Sequence, residues 1–500
     1  MAYTTDQAFP VGRKAAQKIP MSPAAGKTAP ISPLRGPLLA LVTIVLVTGL
    51  GLRIWAAAGN EFPTVDGVLY LDQTFELVNN GHLPWSCFPP GWPAVTAVPY
   101  VFLDRSEPMS LLRAGQTANV ILGTLMPLLA FVLMRPFLGT RLAVLGLAVL
   151  MFLPLNVVYS KNDLSEMSFT CALLGSWLLF RRERLVAAGL MLGFSYLIRP
   201  EALLAAGGLG LWLWRRDRRP PWRLIIPLIA VMIPYLIFIR VQTGVFDLTS
   251  KTVAVSLSLE ANPGWRYLGL IGRNLGIFLP KLVGILGLPM VLLAVWGMIN
   301  SRGSWLWLLA PLLPVPFIIN PMDVRFWIPY LPVIVLAAGL GAVHLAGLPG
   351  LKERWKQVAL LAVLGLGLVA AVWDDAYWIR RNREAFYGLR DAGAWLRDRT
   401  DSDTIIAAYK PYASFWAGCR FIKYPENMDA AELVMWARNH GAKYLVVNVK
   451  VTHHLAKGLD PLLTSPLPPN LADKVTLVQL LEYDLVEHNT AIYRINDPLP

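Results

Sequence analysis

The residues best suited to chemistry lie in polar segments that interrupt a strongly apolar sequence. Asp66 follows soon after the first long apolar run, and an apolar, aromatic stretch that includes Tyr70 comes directly after it. A stretch of that kind is expected to lie along a bilayer surface and to hold the carboxylate at the interface. A carboxylate at that depth can take a proton from a hydroxyl group while a lipid phosphate reaches the same place. Asp66 is therefore a candidate general base, against the ordinary alternative of a solvated loop acid.

A second polar segment, 159–166, carries the acids Asp163 and Glu166. Ser165 or Asp163 could cap the helix that follows, and an acid in its first turn is favoured by the helix dipole. The same acids could also face a cavity shared with Asp66. The two interpretations are compatible, and both predict that Glu166 lies at the start of a helix.

Basic side chains lie at the same side of the apolar runs as these acids. Arg199 separates two short apolar stretches, Arg325 begins another, and Lys281 lies between them in sequence. Ionisable residues at membrane depth are costly, so they tend to face a cavity or a partner. Such cations can bind phosphate. The alternative for any one of them is snorkelling to lipid headgroups.

The composition indicates what must position these residues. The chain has 500 residues, of which 55% are hydrophobic and 15% charged, and its mean hydropathy is +0.50. A soluble domain carries about 25% charged residues, so an ordinary soluble enzyme is excluded. The 3 cysteines exclude a disulfide-dense scaffold. The sequence contains no GxGxxG, P-loop, HExxH or paired CxxC motif, which leaves nucleotide and zinc-peptidase chemistry without support.

The apolar runs predict a polytopic α-helical membrane protein with about eleven transmembrane helices. The predicted spans are 36–58, 111–133, 142–159, 167–180, 186–198, 201–214, 223–240, 283–299, 304–319, 326–346 and 357–374. The short, proline-broken run 89–104 is interpreted as interfacial or re-entrant. If it does not cross, the arginine clusters 181–184 and 215–219 fall in the cytoplasm, as the positive-inside rule requires. This rule also explains the formal net charge of +13 without a nucleic-acid partner.

The same patterns divide the chain into three parts. Residues 1–36 form a disordered basic cytoplasmic tail, and residues 37–374 form the transmembrane module, whose first outer loop is 59–110. Residues 375–500 form a soluble extracytoplasmic α/β domain. Its predicted helices are 384–399 and 430–438, and its predicted strands are 404–408, 443–449, 475–480 and 491–495. The expected location is the cell (inner) membrane, with the second and third parts meeting on its outer face.

At these loops the sequence resembles the GT-C glycosyltransferases that use a polyprenyl-phosphate sugar as donor. It is most similar to the bacterial branch related to protein O-mannosyltransferases, lipid A aminoarabinose transferases and Rgt-type lipopolysaccharide glycosyltransferases. The resemblance covers residues 37–346. The pattern that carries it consists of Asp66 with Tyr70, Asn80-Gly81, the segment 88–93, Arg113, Asn119, Tyr159-Ser160, Ser165-Glu166 and Arg199-Pro200.

The resemblance implies an inverting sugar transfer on the outer face of the membrane, with Asp66 as the base. The second-loop acid would be Glu166 or, as the alternative, Asp163. Arg199 and Arg325 would steady the leaving phosphate, with Lys281 behind them, and Tyr70 and His82 would contact substrate. No cofactor is implied. The implied partners are the lipid-linked donor, a glycan, lipid or protein acceptor, and membrane lipids.

One departure from the family pattern concerns the residue after the base. Several members carry an acidic pair there, whereas Gly67 follows Asp66 in this chain. The glycine fits the Rgt-like branch better and argues against a protein acceptor. The alternatives from other classes are a transporter or flippase of lipid-linked glycans and a membrane anchor for a binding module. A disulfide between Cys87 and Cys419, which would both face an oxidising compartment, is a further option.

Overall fold

The structure is a computed structural model, and it describes residues 36–105, 107–250, 265–301, 323–346, 386–425, 428–455, 457–463 and 467–496. The spans predicted at 304–319 and 357–374 and most of the predicted tail lie outside these residues. The described chain is mainly helical up to residue 346, and a 5-stranded sheet follows near the C-terminus.

The helical part consists of twelve α-helices and one 3-10 helix within the described residues. They are α1 Pro37–Ala58, α2 Val65–Asn79, α3 Gly91–Tyr100, α4 Pro108–Phe152, α5 Pro154–Ser160, α6 Glu166–Arg181, α7 Leu185–Ile198, α8 Ala202–Asp217, α9 Trp222–Thr243, α10 Trp265–Leu286, α11 Leu288–Asn300, the 3-10 helix Val324–Tyr330 and α12 Leu331–Ala346. Five segments of the described chain are long and apolar enough to cross a membrane: Pro37–Ala58, Pro108–Phe152, Trp222–Thr243, Leu268–Leu286 and Val324–Leu345. A mostly helical protein with several membrane-spanning candidates is thus observed, while eleven crossings remain a prediction.

Helix α3 agrees with the non-crossing interpretation of 89–104. It has 10 residues, which at about 1.5 Å per residue extend over roughly 15 Å, half of a bilayer core. Pro90 precedes it and Pro99 lies in its last turn, so prolines limit it at both ends.

Glycines change two of the predicted boundaries. The span predicted at 111–133 and the first part of the span predicted at 142–159 belong to one helical segment, α4, with a break at Gly139, where φ is 72°. The rest of the second span belongs to α5. The span predicted at 283–299 is wrong as a single helix, because Gly287 (φ 77°) separates α10 from α11. Most of helix α10 lies between the spans predicted at 223–240 and 283–299, where no helix was predicted. Positive φ at a glycine costs little, so one residue suffices to end each helix.

Small residues let the membrane helices approach one another closely. A Cβ built on Gly341 of α12 would lie 2.0 Å from the carbonyl oxygen of Leu293 in α11, and one on Gly297 would lie 1.9 Å from that of Ala337. Between α7 and α9, a Cβ on Gly189 would lie 2.3 Å from a backbone oxygen. Apolar helices in lipid gain little by hydrophobic burial against each other, so close backbone packing of this kind stabilises their association.

Arg53 is a buried charge that the sequence analysis missed. It is fully buried in α1, where its guanidinium donates to Ser160 Oγ at 3.1 Å and to the carbonyl oxygen of Met151 at 2.9 Å. A Cβ on Gly123 would lie 2.0 Å from the same Ser160 hydroxyl. The arginine thus connects α1 with the α4–α5 junction. This junction leads into the second polar segment, residues 159–166.

The C-terminal part is an α/β domain with a mixed sheet. Its helices are α13 Tyr387–Arg397, α14 Tyr412–Ala417, α15 Ala430–Asn439, α16 Val449–Leu455 and α17 Pro469–Ala472, with 3-10 helices at Lys457–Leu463 and Val486–His488. Its strands are β1 Ile405–Ala408, β2 Arg420–Lys423, β3 Tyr444–Asn448, β4 Val475–Leu481 and β5 Thr490–Ile495, in the order β2-β1-β3-β5-β4. Strands β2, β1 and β3 are parallel, and β5 is antiparallel to both β3 and β4.

The sheet is covered on both faces, which explains its apolar central strand. All of β3 is buried. Leu445 and Val447 pack in one cluster with Leu433 of α15, whereas Val446 packs in another with Leu389 of α13. The four predicted strands are present, and the short strand β2 was missed because its residues are half-buried or exposed.

Cys87 and Cys419 do not form a disulfide. None of the three cysteines is in a disulfide within the described residues. Cys419 contacts the Thr400 hydroxyl at 3.0 Å, inside the C-terminal domain. The disulfide considered from the sequence is therefore absent, and other contacts hold the domain on the membrane part.

The close crossing of α11 and α12 predicts a strong effect of a single methyl group. In Gly341→Ala, the Cβ meets the Leu293 carbonyl and forces the helices apart, at a cost of about 1–3 kcal/mol. We expect a clearly lower thermal unfolding temperature in detergent. Gly207→Ala in α8 is the matched control, since a Cβ there would meet nothing within 4 Å. Equal unfolding temperatures for the two variants would contradict this packing.

Candidate functional site

The first loop presents Asp66 in the first turn of α2. Thr64 begins the helix, and its hydroxyl accepts a hydrogen bond from the Gly67 amide at 2.9 Å. An acid in the first turn is favoured by the helix dipole. The side chain of Asp66 is 33% exposed, so it can be reached from outside the protein.

Asp163 of the second loop lies directly against this helix start. It is fully buried, and its Oδ1 accepts a hydrogen bond from the Thr64 amide at 2.9 Å. A Cβ on Gly67 would lie 1.9 Å from Asp163 Oδ2. The carboxylate of Asp163 therefore fills the space that a side chain after Asp66 would need, which gives the glycine in the Asp66-Gly67 sequence a physical reason.

Burial also affects the ionisation of Asp163. It raises the pKa of this carboxyl to about 7, while the hydrogen bonds from Thr64 oppose the rise. Burial of a carboxyl disfavours its charged form. Asp163 is thus less exposed than Asp66 and already engaged with backbone, which favours a positioning role over direct contact with substrate.

The backbone of the second loop is held by side chains from three other elements. Asn60 donates to the carbonyl of residue 161 at 3.2 Å, and the Trp92 indole donates to that of residue 163 at 2.9 Å. Asn119 donates to the carbonyls of residues 162 and 164 at 2.6 and 2.8 Å. A loop with so many satisfied carbonyls is rigid relative to α3 and α4.

Arg113 performs a similar structural task at the end of α1. Its guanidinium donates to the carbonyls of Ala57 and Ala58 at 2.6 and 3.2 Å and to Gln116 Oε1 at 2.7 Å. A cation at a helix C-terminus is favourable. The sequence pattern that suggested a family resemblance thus includes residues that hold loop backbone, as well as the acids.

Glu166 is held in a buried ion pair at the start of α6. Arg199, at the end of α7, reaches Glu166 Oε1 at 2.7 Å and Glu201 Oε1 at 2.9 Å. The side chains of Arg199 and Glu166 are only 7% and 3% exposed. The capping role considered for Ser165 is wrong in detail, since it makes no side-chain capping bond. Its hydroxyl lies 3.3 Å from the Tyr70 hydroxyl instead.

Arg325 connects the first loop with this pair. Its Nη1 lies 2.7 Å from Asp66 Oδ2, and its Nε lies 3.8 Å from Glu166 Oε1 and 3.6 Å from Asp323 Oδ2. Asp323 caps the 3-10 helix by accepting from the Arg325 amide at 3.0 Å, and Tyr159 donates to the same oxygen at 3.0 Å. The cap and the tyrosine together fix the start of the 3-10 helix and therefore the backbone position of Arg325.

We refer to these six side chains as the ionic cluster: Asp66, Glu166, Arg199, Glu201, Asp323 and Arg325. It contains two guanidinium groups and four carboxylates. Beside it lies a pocket lined by both arginines, Glu201, Pro329 and three aromatic residues, Phe169, Phe326 and Tyr330. The cluster thus places cations and acids next to an aromatic surface.

One of the predicted substrate contacts, His82, lies away from the ionic cluster. His82 lies 3.4 Å from Glu76 and its side chain is 60% exposed. Glu76 follows Asp66 by almost three turns of α2, a separation of about 15 Å. Lys281 is half-buried in α10, one turn after Phe278, whose ring lies tilted against that of Trp327 with the ring centroids 3.8 Å apart. Tyr70 is buried beside Ser165 and Phe88, so it supports the site from within.

The C-terminal domain closes over the start of the first loop. Phe62 is packed between the rings of Tyr387 and Tyr412, at 5.6 and 6.2 Å. Arg390 pairs with Glu61. A second ion pair joins Arg397 to Glu107 at 2.9 Å. These contacts hold the segment that precedes Asp66, a role of the domain that the sequence analysis did not foresee.

The described residues contain no group of three or more His, Cys, Asp or Glu side chains arranged to hold a metal ion. The acids of the ionic cluster are instead bridged by the two guanidinium groups. The chemistry that this arrangement offers is acid–base catalysis by an accessible carboxylate beside a cation suited to phosphate.

Solved structures similar to this chain come from two membrane enzymes. The oligosaccharyltransferase of Archaeoglobus fulgidus, in complex with Zn and sulfate, has a TM-score of 0.61 at 13% identity, with 82% of this chain and 68% of that chain covered. In complex with an inhibitory peptide and a dolichol-phosphate, that enzyme (AglB) gives 0.58 at 13% identity, with 93% and 75% covered. ArnT from Cupriavidus metallidurans bound to undecaprenyl phosphate gives 0.58 at 14% identity, with 91% and 98% covered.

No family model and no curated protein matches the sequence. At identities this low, the similarity concerns the fold. Coverage of 91% of this chain and 98% of ArnT extends the similarity across both the helical part and the C-terminal domain. The chain therefore has the GT-C fold of the archaeal oligosaccharyltransferase and ArnT, as its resemblance to GT-C glycosyltransferases predicts.

Proposed function

We propose that this protein is an inverting glycosyltransferase that acts on the outer face of the cell membrane. It moves a sugar from a polyprenyl-phosphate donor to an envelope glycan or lipid. The observation that carries the proposal is the ion pair of Asp66 with Arg325, 2.7 Å apart and next to Glu166, in a chain with the GT-C fold. It joins an accessible acid from the first loop to a cation that suits phosphate. The neighbours bind dolichol-phosphate and undecaprenyl phosphate, which supports a donor of that class.

In the proposed reaction Asp66 takes the proton of the acceptor hydroxyl. The hydroxyl oxygen attacks the anomeric carbon of the sugar from the face opposite the phosphate, so that configuration inverts. The bond between that carbon and the phosphate oxygen breaks, and polyprenyl phosphate leaves with the electron pair. Arg325 stabilises the negative charge that grows on the leaving phosphate, a contribution that is large in a partly buried site.

The remaining members of the ionic cluster take supporting roles in this proposal. Arg199 and Glu166 are both nearly buried and paired with each other. We assign them the task of holding Arg325 at the right depth, with Glu166 as the second-loop acid. Arg199 therefore acts behind Arg325, and direct contact of Arg199 with the donor phosphate is not required.

Asp163 is assigned a positioning role through the start of α2. Asp163 accepts a hydrogen bond from the Thr64 amide and fills the space that a Cβ on Gly67 would need. These contacts set the position of Asp66 relative to the second loop. A displacement of about 1 Å between reacting groups can reduce a rate about a hundredfold. The precise fit at Gly67 is thus part of the proposed catalytic arrangement.

Asp66→Asn tests the role of the base. The amide cannot accept the hydroxyl proton, so we expect transfer to fall at least about a hundredfold, because general base catalysis contributes that much. The measurement is mass spectrometry of cell-envelope glycans from cells that carry the variant in place of the wild type. Asp72→Asn, which removes an exposed acid of the same helix outside the ionic cluster, is the control and should leave the product unchanged. Wild-type product levels with Asp66→Asn would exclude this mechanism.

Gly67→Ala tests the positioning by Asp163. The added Cβ collides with the Asp163 carboxylate, so we expect about a hundredfold less transfer from a protein that still folds. In an Asp163→Ala background the collision disappears, and the same glycine substitution should cost little. Such coupling is the signature of two groups in contact. If the glycine substitution costs the same in both backgrounds, Asp163 does not act on α2.

A further inference from the structure

Arg325 is the cation of the ionic cluster that a ligand can reach. Its side chain is 22% exposed, and that of Arg199 is 7% exposed. Arg199 also has both of its terminal nitrogens engaged, one by Glu166 and the other by Glu201. A phosphate that enters this site therefore meets Arg325 first.

Arg325 already has a partner, and that partner is the proposed base. Its shortest contact is to Asp66, at 2.7 Å, whereas its contacts to Glu166 and Asp323 are 3.8 and 3.6 Å long. Opposite charges this close share a strong interaction in a partly buried site. A phosphate that approaches this nitrogen of Arg325 competes with the Asp66 carboxylate for it.

Asp66 is the acid of the cluster that can give way. Glu166 is nearly buried and held by Arg199 at 2.7 Å. Asp323 is held by the Tyr159 hydroxyl and by the Arg325 amide, both at 3.0 Å. The side chain of Asp66 is one-third exposed and that of Asp323 is 40% exposed, but among the described contacts the Asp66 carboxylate is held by Arg325 alone. Asp66 lies in the first turn of α2, from which its side chain can rotate outward.

The charge of the cluster favours an exchange. Four carboxylates surround two guanidinium groups, so a phosphate that simply joined them would be repelled by Asp66 at a distance of a few ångströms. Such repulsion is weakly screened in a partly buried site and weakens phosphate binding. Withdrawal of the Asp66 carboxylate removes both the competition for Nη1 and the nearest like charge.

We propose that the donor phosphate displaces Asp66 from Arg325, so that donor binding releases the base. In the free protein the Asp66 carboxylate is paired with Arg325 and is therefore not available to an acceptor. When the phosphate pairs with Arg325, the carboxylate turns away and can accept the hydroxyl proton. The exchange imposes an order in which the donor binds before the acceptor is activated. This inference rests on the proposed function, because it requires a lipid phosphate as ligand.

The exchange predicts that loss of the base tightens binding of the lipid phosphate. The probe is undecaprenyl phosphate, titrated against the full-length protein in nanodiscs of phosphatidylcholine, which is neutral overall. With Asp66→Asn the competitor for Arg325 is gone, and we expect the dissociation constant to fall about tenfold, the equivalent of about 1.4 kcal/mol. Asp72→Asn removes one negative charge from the same helix at an exposed position outside the ionic cluster, so its dissociation constant should equal that of the wild type. Arg325→Gln added to Asp66→Asn should abolish the gain.

The outcomes separate this inference from the proposed function. Tighter binding in Asp66→Asn alone supports the exchange. Equal or weaker binding in Asp66→Asn, or an equal gain in Asp72→Asn, overturns the exchange while the proposed function stands. If neither the wild type nor any variant binds undecaprenyl phosphate, the proposed donor class is wrong, and the inference is overturned with it.

Discussion

The contact of Arg325 with Asp66 is the interaction on which the rest of the site depends. It joins residues that are far apart in sequence, and each partner is held by its own support. Asp163 and Thr64 define the start of α2, which carries Asp66, and Asp323 and Tyr159 define the start of the 3-10 helix, which carries Arg325. Because both supports are rigid, the accessible cation and the accessible acid meet at one point beside the buried pair of Glu166 and Arg199.

The sequence alone was sufficient to identify most members of the ionic cluster. Asp66, Glu166, Arg199 and Arg325 were selected because each stands where an apolar run begins or ends, and charges at such places tend to face a cavity. Their pairing could not be predicted, because it depends on how distant helices cross. His82 was selected from the same loop, but it pairs with Glu76, which lies almost three turns of α2 beyond Asp66. The role of Gly67 needed the structure, since only the position of Asp163 explains why a side chain is excluded there.

The fold was predictable where a pattern is local. Short runs of strand-forming residues marked four of the five strands, and β2 was missed because it is short and only partly buried. Helix ends that depend on one glycine, at Gly139 and Gly287, could not be separated from tolerated glycines inside helices such as Gly207. The docking of the C-terminal domain on Phe62 depends on aromatic packing between distant segments, for which the sequence carries no periodic signal.

The central claim is that the donor phosphate binds at Arg325. The most direct test is an electron cryo-microscopy structure of the protein in nanodiscs with undecaprenyl phosphate. Our account predicts phosphate density within hydrogen-bond distance of the Arg325 guanidinium, beside the aromatic pocket of Phe169 and Tyr330. Phosphate density elsewhere, for example at the basic cluster 215–219 at the other end of α8, with the contact between Arg325 and Asp66 intact, would contradict it.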